Sequence, residues 1–156
     1  QLPNRRHGLD YLASEWAFAH ANGLPMACLL LDIDHFKRIN DGYGHAAGDA
    51  VLRQLADLLK RASRVEDLVF RYGGEEFAAV LPNASVRAAA QIAERIRALV
   101  EKYRFIWEQQ SIPVTLSIGV ANLSTRLKDS QALIEAADAA LYEAKRSGRN
   151  RVVVAS

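Results

Sequence analysis

Four carboxylates stand in two groups whose spacing could hold a cation. Asp32 and Asp34 close the apolar run Met26 to Ile33. In an extended chain, whose side chains alternate, both leave one face while Ile33 leaves the other. Glu75 and Glu76 follow directly on Gly73-Gly74, a turn without side chains whose backbone a large ligand can approach closely. If the second pair lies beside the first, like charges repel unless a cation or a proton compensates them. Oxygen ligands without a histidine or thiolate cluster favour Mg²⁺ or Mn²⁺ over zinc, and Mg²⁺ keeps positions open for phosphate oxygens. Any one of these acids alone reads as a solvated strand end or turn, so the inference rests on their combination.

The elements that must position them follow from periodicity. Leu9, Leu12, Trp16 and His20 recur at helical spacing until Asn22-Gly23 stops them. Met26 to Ile33 reads as a central strand covered on both faces. His35 to Gly44 carries a short helix and a glycine-punctuated loop, and Val51, Leu52, Leu55, Leu58 and Leu59 share one helical face after it. Asp67 to Tyr72 and Glu76 to Leu81 flank the double glycine as an antiparallel hairpin. Val86, Ala89, Ala93, Ile96, Val100 and Tyr103 form the clearest helical stripe. Strands at about Tyr103 to Trp107 and Val114 to Val120 form a second expected hairpin, before a helix from Ser130 to about Arg146 and a closing strand Arg151 to Val154. The expected fold class is α+β: a ferredoxin-like βαββαβ core with its helices on one face of a mostly antiparallel sheet, further helices surrounding it.

Composition narrows the setting. The 156 residues are 50% hydrophobic and 24% charged, a globular balance that fits one domain over residues 1–156 and excludes disorder or a disulfide scaffold. The single cysteine, Cys28, has no disulfide partner, which suits a reducing compartment, and the expected location is cytoplasmic. No apolar stretch approaches a membrane span, so membrane contact by this segment is not expected. A net charge of +2 advertises no broad basic face for a nucleic acid polymer.

The segment Arg71-Tyr72-Gly73-Gly74-Glu75-Glu76-Phe77 resembles the signature of the GGDEF family, the diguanylate cyclases, in its GGEEF spelling. Leu31 to Asp49, LDIDHFKRINDGYGHAAGD, is similar to the family's first-strand motif, and Asp138 to Arg151, DAALYEAKRSGRNR, to its C-terminal motif. Leu2-Pro3-Asn4-Arg5-Arg6 resembles the end of the family's entry motif. The likeness covers essentially the whole chain. It implies a cytoplasmic enzyme, on a palm-like sheet similar to that of nucleotidyl cyclases and polymerases, that condenses two GTP into cyclic di-GMP and releases two pyrophosphates.

By the same resemblance, Asp32 and Glu75 ligate the metal together with the Ile33 carbonyl, and Glu75 is also the family's proposed proton acceptor. Glu76 matches the motif as a further metal-site acid, and Asp34 matches with a supporting role. Gly73 and Gly74 leave room for nucleotide, either through a turn with positive φ or by missing side chains. Asn40 and Asp49 select guanine, which suits a carboxylate facing the N1 and N2 donors, and His45 lines the substrate pocket. Lys37 stabilises the transition state, and Lys145 and Arg149 bind the triphosphate. Arg64 and Asp67, separated from Gly73 by the five residues Leu68 to Tyr72, match the RxxD product-inhibition site, with Arg95 joining from the neighbouring helix.

Since each such domain binds one GTP, two must face each other across a two-fold axis as a homodimer. The chain is expected to be the catalytic piece of a larger regulated protein, which upstream segments could attach to a membrane. Two rival readings are a catalytically inactive receptor for GTP or cyclic di-GMP, and a cyclase of other nucleotides; the acidic and glycine residues argue against the first, Asp49 against the second.

Overall fold

A computed structural model describes all 156 residues. The chain runs through α1 (Arg5–Asn22), β1 (Met26–Ile33), α2 (Phe36–Tyr43), α3 (His45–Ala62), β2 (Leu68–Arg71), β3 (Glu76–Pro82), α4 (Val86–Lys102), β4 (Phe105–Trp107), β5 (Gln110–Ile112), β6 (Leu116–Asn122), α5 (Ser130–Arg146) and β7 (Arg151–Val154). Local chemistry sets the helix ends. Asn4, Ser85 and Asp129 each accept a backbone N–H of the first turn of α1, α4 and α5. Gly23 stops α1 in the left-handed region at φ 63°.

Five strands form the central sheet in the order β2-β3-β1-β6-β7. All pairs are antiparallel except β6 with β7. Every residue of β1 is buried because both faces of the sheet are covered. On one face Leu29, Leu31 and Ile33 pack with Val51, Leu55 and Leu59 of α3 and Ala89, Ala93 and Ile96 of α4. On the other, Cys28 and Leu30 pack with Leu12 of α1 and with Leu133, Ala137 and Leu141 of α5. The core crossover helices α3 and α4 thus share one face as expected, and α1 and α5 cover the opposite one. Burial pushes the Cys28 thiol up to about 12, so it stays a protonated core side chain.

Two glycines let the second layer approach closely. A Cβ on Gly8 of α1 would enter the Phe70 ring, and one on Gly119 of β6 would strike the main chain of α5 at Ala137 and Leu141. The Gly119 contact matters for the site. Gly119 lies opposite Leu30 on β1, with Asp32 two residues further along the same face. Two strand residues advance about 6.7 Å and one helical turn about 5.4 Å. Lys145, one turn beyond Leu141, therefore reaches the end of β1 where Asp32 stands.

Three expectations need correction. The second hairpin does not join Tyr103–Trp107 to Val114–Val120: β4 pairs with β5 in a separate two-stranded sheet, while β6 enters the central sheet beside β1. The two-residue turn Glu108-Gln109 takes positive φ at both positions, a turn usually announced by Asn-Gly. Val86 is 38% exposed, so the buried stripe of α4 begins at Ala89. Neither Gly73 nor Gly74 has positive φ, so the turn does not use glycine's left-handed freedom. A Cβ on Gly73 would crowd Glu76 Oε1 at 3.1 Å, and Gly74 faces open space.

Candidate functional site

The acids at the end of β1 meet the acids of the β2–β3 hairpin because the register brings them there. Asp32 is the cross-strand partner of Glu76, and the Ile33 N–H donates to the Glu75 carbonyl at 3.3 Å. Directly opposed residues point to one face. Lys145 reaches this face from α5 and closes an ion pair on Asp32. Burial raises the affinity of Asp32 for a proton, and the Lys145 ammonium works against that rise. Glu75 and Glu76 are also pushed up, first by partial burial and then by the Asp32 charge.

No three Asp, Glu, His or Cys side chains converge as a cage for an ion, and Glu76 is turned toward Gly73. Asp32, Glu75 and the Ile33 carbonyl provide hard oxygens, which fit Mg²⁺ or Mn²⁺ with further positions filled by a ligand. Cations lie beside them: Lys145 touches Asp32, and Arg149 lowers the Asp32 proton affinity through its charge.

Asp34 does something different. It is 7% exposed and fully engaged, accepting from Ser117 Oγ at 2.6 Å, Thr115 Oγ1 at 2.7 Å and the Asn150 N–H at 2.9 Å. It ties the end of β1 to the start of β6 and to the turn before β7. Sequence reading flagged Asp34 but none of these partners, which lie 81 to 116 residues away; no local signal pairs them.

The turn itself is held by Arg71, whose guanidinium donates to the Gly73 carbonyl at 3.1 Å and to the Gly74 carbonyl. Arg71 also lines a cavity of about 380 Å³ with Leu2, Asp49, Leu52, Arg53 and Phe77. Asp49 of α3 thus opens into a pocket lined by apolar side chains and by Arg53 and Arg71. Asn40 packs against Gly48, the residue before Asp49 in the chain: its Oδ1 occupies the place a Cβ on Gly48 would take. His45 is exposed at the start of α3 and does not line this cavity. Lys37 is not gathered with the acids; it is exposed on α2 and paired with Asp41 at 2.8 Å.

A second polar centre lies at the far end of the hairpin. Arg64 donates to Asp67 Oδ1 from Nε at 3.0 Å and Nη2 at 2.7 Å, and to the Pro82 carbonyl at 2.9 Å. The Asp67 side chain is 1% exposed, and its bond raises the Arg64 proton affinity. Arg95 stands exposed on α4 and makes no bond to either.

Comparison with known proteins shows the family of the chain. The family described as "Diguanylate cyclase, GGDEF domain" matches residues 1–151. Diguanylate cyclase A of Treponema denticola is 48% identical over 129 residues, covering 83% of this chain and 35% of that protein. Diguanylate cyclase DgcP of Pseudomonas aeruginosa is 42% identical over 154 residues, covering 99% of this chain and 23% of that protein. The chain therefore spans about a third or less of the length of these relatives. Among solved structures, the active GGEEF domain of a diguanylate cyclase from Vibrio cholerae superposes with a TM-score of 0.94 at 38% identity, covering 100% of this chain and 99% of that one. The GGDEF domain of DgcB from Caulobacter crescentus in complex with c-di-GMP gives 0.92 at 36% identity, covering 98% and 91%. With a family match along nearly its whole length and the signature residues gathered at one sheet end, the chain belongs to the GGDEF family of diguanylate cyclase domains.

Proposed function

We propose that this domain condenses two GTP into cyclic di-GMP with release of two pyrophosphates, depends on Mg²⁺ or Mn²⁺, works as a homodimer and is restrained by its product. The observation that carries the reading is the meeting of Asp32 with the Glu75-Glu76 end of the hairpin beside Lys145. In each half-reaction the 3′-oxygen of one GTP bonds to the α-phosphorus of the other. The bond to pyrophosphate breaks, and the hydroxyl proton passes to a base. Charge neutralisation on the triphosphate and polarisation of the α-phosphorus are what a divalent ion held by Asp32, Glu75 and the Ile33 carbonyl would supply.

The chain's own groups do the rest. Lys145 and Arg149 hold the triphosphate as fixed positive charges. Asp49 accepts from guanine N1 and N2 at the cavity edge and Asn40 contributes its amide, while His45, exposed at the start of α3, meets the substrate from outside that cavity. Gly73 and Gly74 let nucleotide lie against the turn that Arg71 braces. Glu75 has a raised proton affinity, but ligation and proton removal compete for one carboxylate, and ligation is the role we assign it. Glu76 supports the site from the turn. Lys37 stabilises the transition state after leaving Asp41, a release that an exposed pair makes inexpensive. Arg64, Asp67 and Arg95 bind cyclic di-GMP as the inhibitory site. Two domains face each other because a product with two phosphodiester bonds needs two bound GTP.

The test is incubation of the protein with GTP and Mg²⁺, product chromatography, and Glu75→Ala beside it. Turnover that falls about a hundredfold or more in the variant, with an unchanged melting curve, and that falls per mole on dilution of the wild type, supports the reading. GTP bound without turnover would make the domain a receptor, and equal turnover in Glu75→Ala would overturn the site.

A further inference from the structure

Three consecutive residues between α5 and β7 take positive φ: Gly148 at 134°, Arg149 at 63° and Asn150 at 47°. L-residues adopt this region at a cost, and two of the three carry side chains. Such a turn persists only where its surroundings hold it, and the structure shows what does so. The Arg149 N–H donates to the Ala144 carbonyl at 2.9 Å, tying the turn to the last turn of α5. The Asn150 N–H donates to Asp34 Oδ2 at 2.9 Å. The Asn150 side chain is clamped from both ends: its Oδ1 accepts from Arg97 Nη1 at 2.8 Å, and its Nδ2 donates to Glu101 Oε2 at 2.8 Å.

Arg97 and Glu101 belong to α4, on the opposite face of the sheet from α5. Arg97 is itself fixed, bonding Glu94 Oε2 at 2.7 Å and Glu101 Oε1 at 3.0 Å. Asn150 therefore receives the end of β1 through Asp34 and α4 through its amide. Arg149, next to it in the chain, places its Nη1 3.5 Å from the Lys145 carbonyl.

The geometry points to Asn150 as a positioning residue for the triphosphate-binding cations: anchored by Asp34, Arg97 and Glu101, it holds the left-handed turn that aims Arg149 at the site beside Lys145. The inference rests on the function proposed above, since it takes the ligand of Arg149 to be the triphosphate of GTP. The Asn150 side chain touches no reacting atom, so its effect is on substrate binding before chemistry.

Asn150→Gly tests this directly. Glycine accepts the positive φ and keeps the N–H to Asp34, so the turn can form, but the amide clamp is gone. The expected result is a KM for GTP raised about tenfold with kcat changed much less. Affinity for the non-hydrolysable α,β-methylene analogue of GTP should be weakened by the same factor. Arg97→Ala, which leaves the turn sequence intact, should raise KM in the same direction, and the double variant should be no worse than the more affected single one. A lowered melting temperature with wild-type KM and analogue affinity in Asn150→Gly would show a purely structural residue and overturn the proposal. Additive effects of the two substitutions would overturn the shared clamp. A wild type that neither turns over GTP nor binds the analogue would sink the functional reading itself, an outcome the wild-type arm separates from the others.

Discussion

Lys145 on α5 is ion-paired to Asp32 at the end of β1 across 113 residues of chain. The contact exists because Gly119 lets α5 lie against β6, placing the helix's last turn over the strand's last residue on that face. Asp32 is almost entirely buried, whereas the Lys145 side chain is 33% exposed, so the lysine is the accessible partner of a pair that the fold needs.

Removing that lysine leaves a buried carboxylate without its counter-charge. Lys145→Ala is expected to cost about 1–2 kcal/mol, less than a fully buried pair because water reaches the ammonium. Mg²⁺ should raise the melting temperature of the variant more than that of the wild type, since the ion compensates a charge that only the more distant Arg149 still offsets. Thermal denaturation with and without Mg²⁺ checks both; an equal Mg²⁺ response in the two proteins would contradict an ion at Asp32.

The raised proton affinities of Asp32, Glu75 and Glu76 give a pH dependence of definite sign. A carboxylate that binds its proton more tightly in the folded state favours folding less as pH rises through its unfolded value, 4.5 for Glu76, toward the higher folded one. Above that window the penalty is complete. Glu76→Gln should therefore be more stable than the wild type at neutral pH without Mg²⁺, and the advantage should vanish well below pH 4.5. Glu94 and Glu101, whose proton affinities are lowered by Arg97 and by Asn150 with Arg97, act oppositely in both proteins and cancel in the difference. A difference curve that is flat with pH would refute the assignment.

Gly119→Ala tests the helix placement. The added methyl would meet the α5 main chain at Ala137 and Leu141, and backbone cannot rotate away as a side chain would. The expected loss is about 3 kcal/mol, with turnover of the surviving folded protein reduced because Lys145 no longer seats on Asp32. Chemical denaturation and activity per folded molecule measure the two parts. Wild-type stability would mean that α5 can lift at no cost.

At the other end of the hairpin, Arg64→Ala strips the partner from Asp67, whose side chain is 1% exposed. A stability loss of about 2 kcal/mol is expected, equivalent to a melting temperature lower by roughly 4–8 °C, together with loss of inhibition by added cyclic di-GMP. Arg64→Lys should recover part of the stability but little of the inhibition, since an ammonium cannot reproduce the two-nitrogen contact of a guanidinium. Inhibition retained in Arg64→Ala would place product binding elsewhere.

Much of the fold was legible because it follows from local pattern. β1, α5 and β7 fall at their expected bounds, since an apolar run ended by acid, a capped helix and a short β-branched segment each carry their own signals. The β4–β5 hairpin was not legible: three-residue strands and a Glu-Gln turn with two positive φ values look like loop. Within the candidate site, the motif residues Asp32, Glu75 and Lys145 could be picked out along the chain. Arg71 lay inside the quoted motif without a visible job, and its job is to brace the turn carbonyls.

Residue types and spacing by themselves pointed to carboxylates able to share a cation and to most element boundaries, because these depend on interactions within a few residues, whereas the family came from the likeness of whole motifs. Tertiary structure alone decided which distant groups share a face. The cross-strand register set Glu76 against Asp32, the bare Cα of Gly119 set Lys145 over them, and the Asp34 carboxylate drew Thr115, Ser117 and Asn150 together. Those pairings arise from how covered sheet faces and close-packed helices fit in space, and no short window of chain contains both partners.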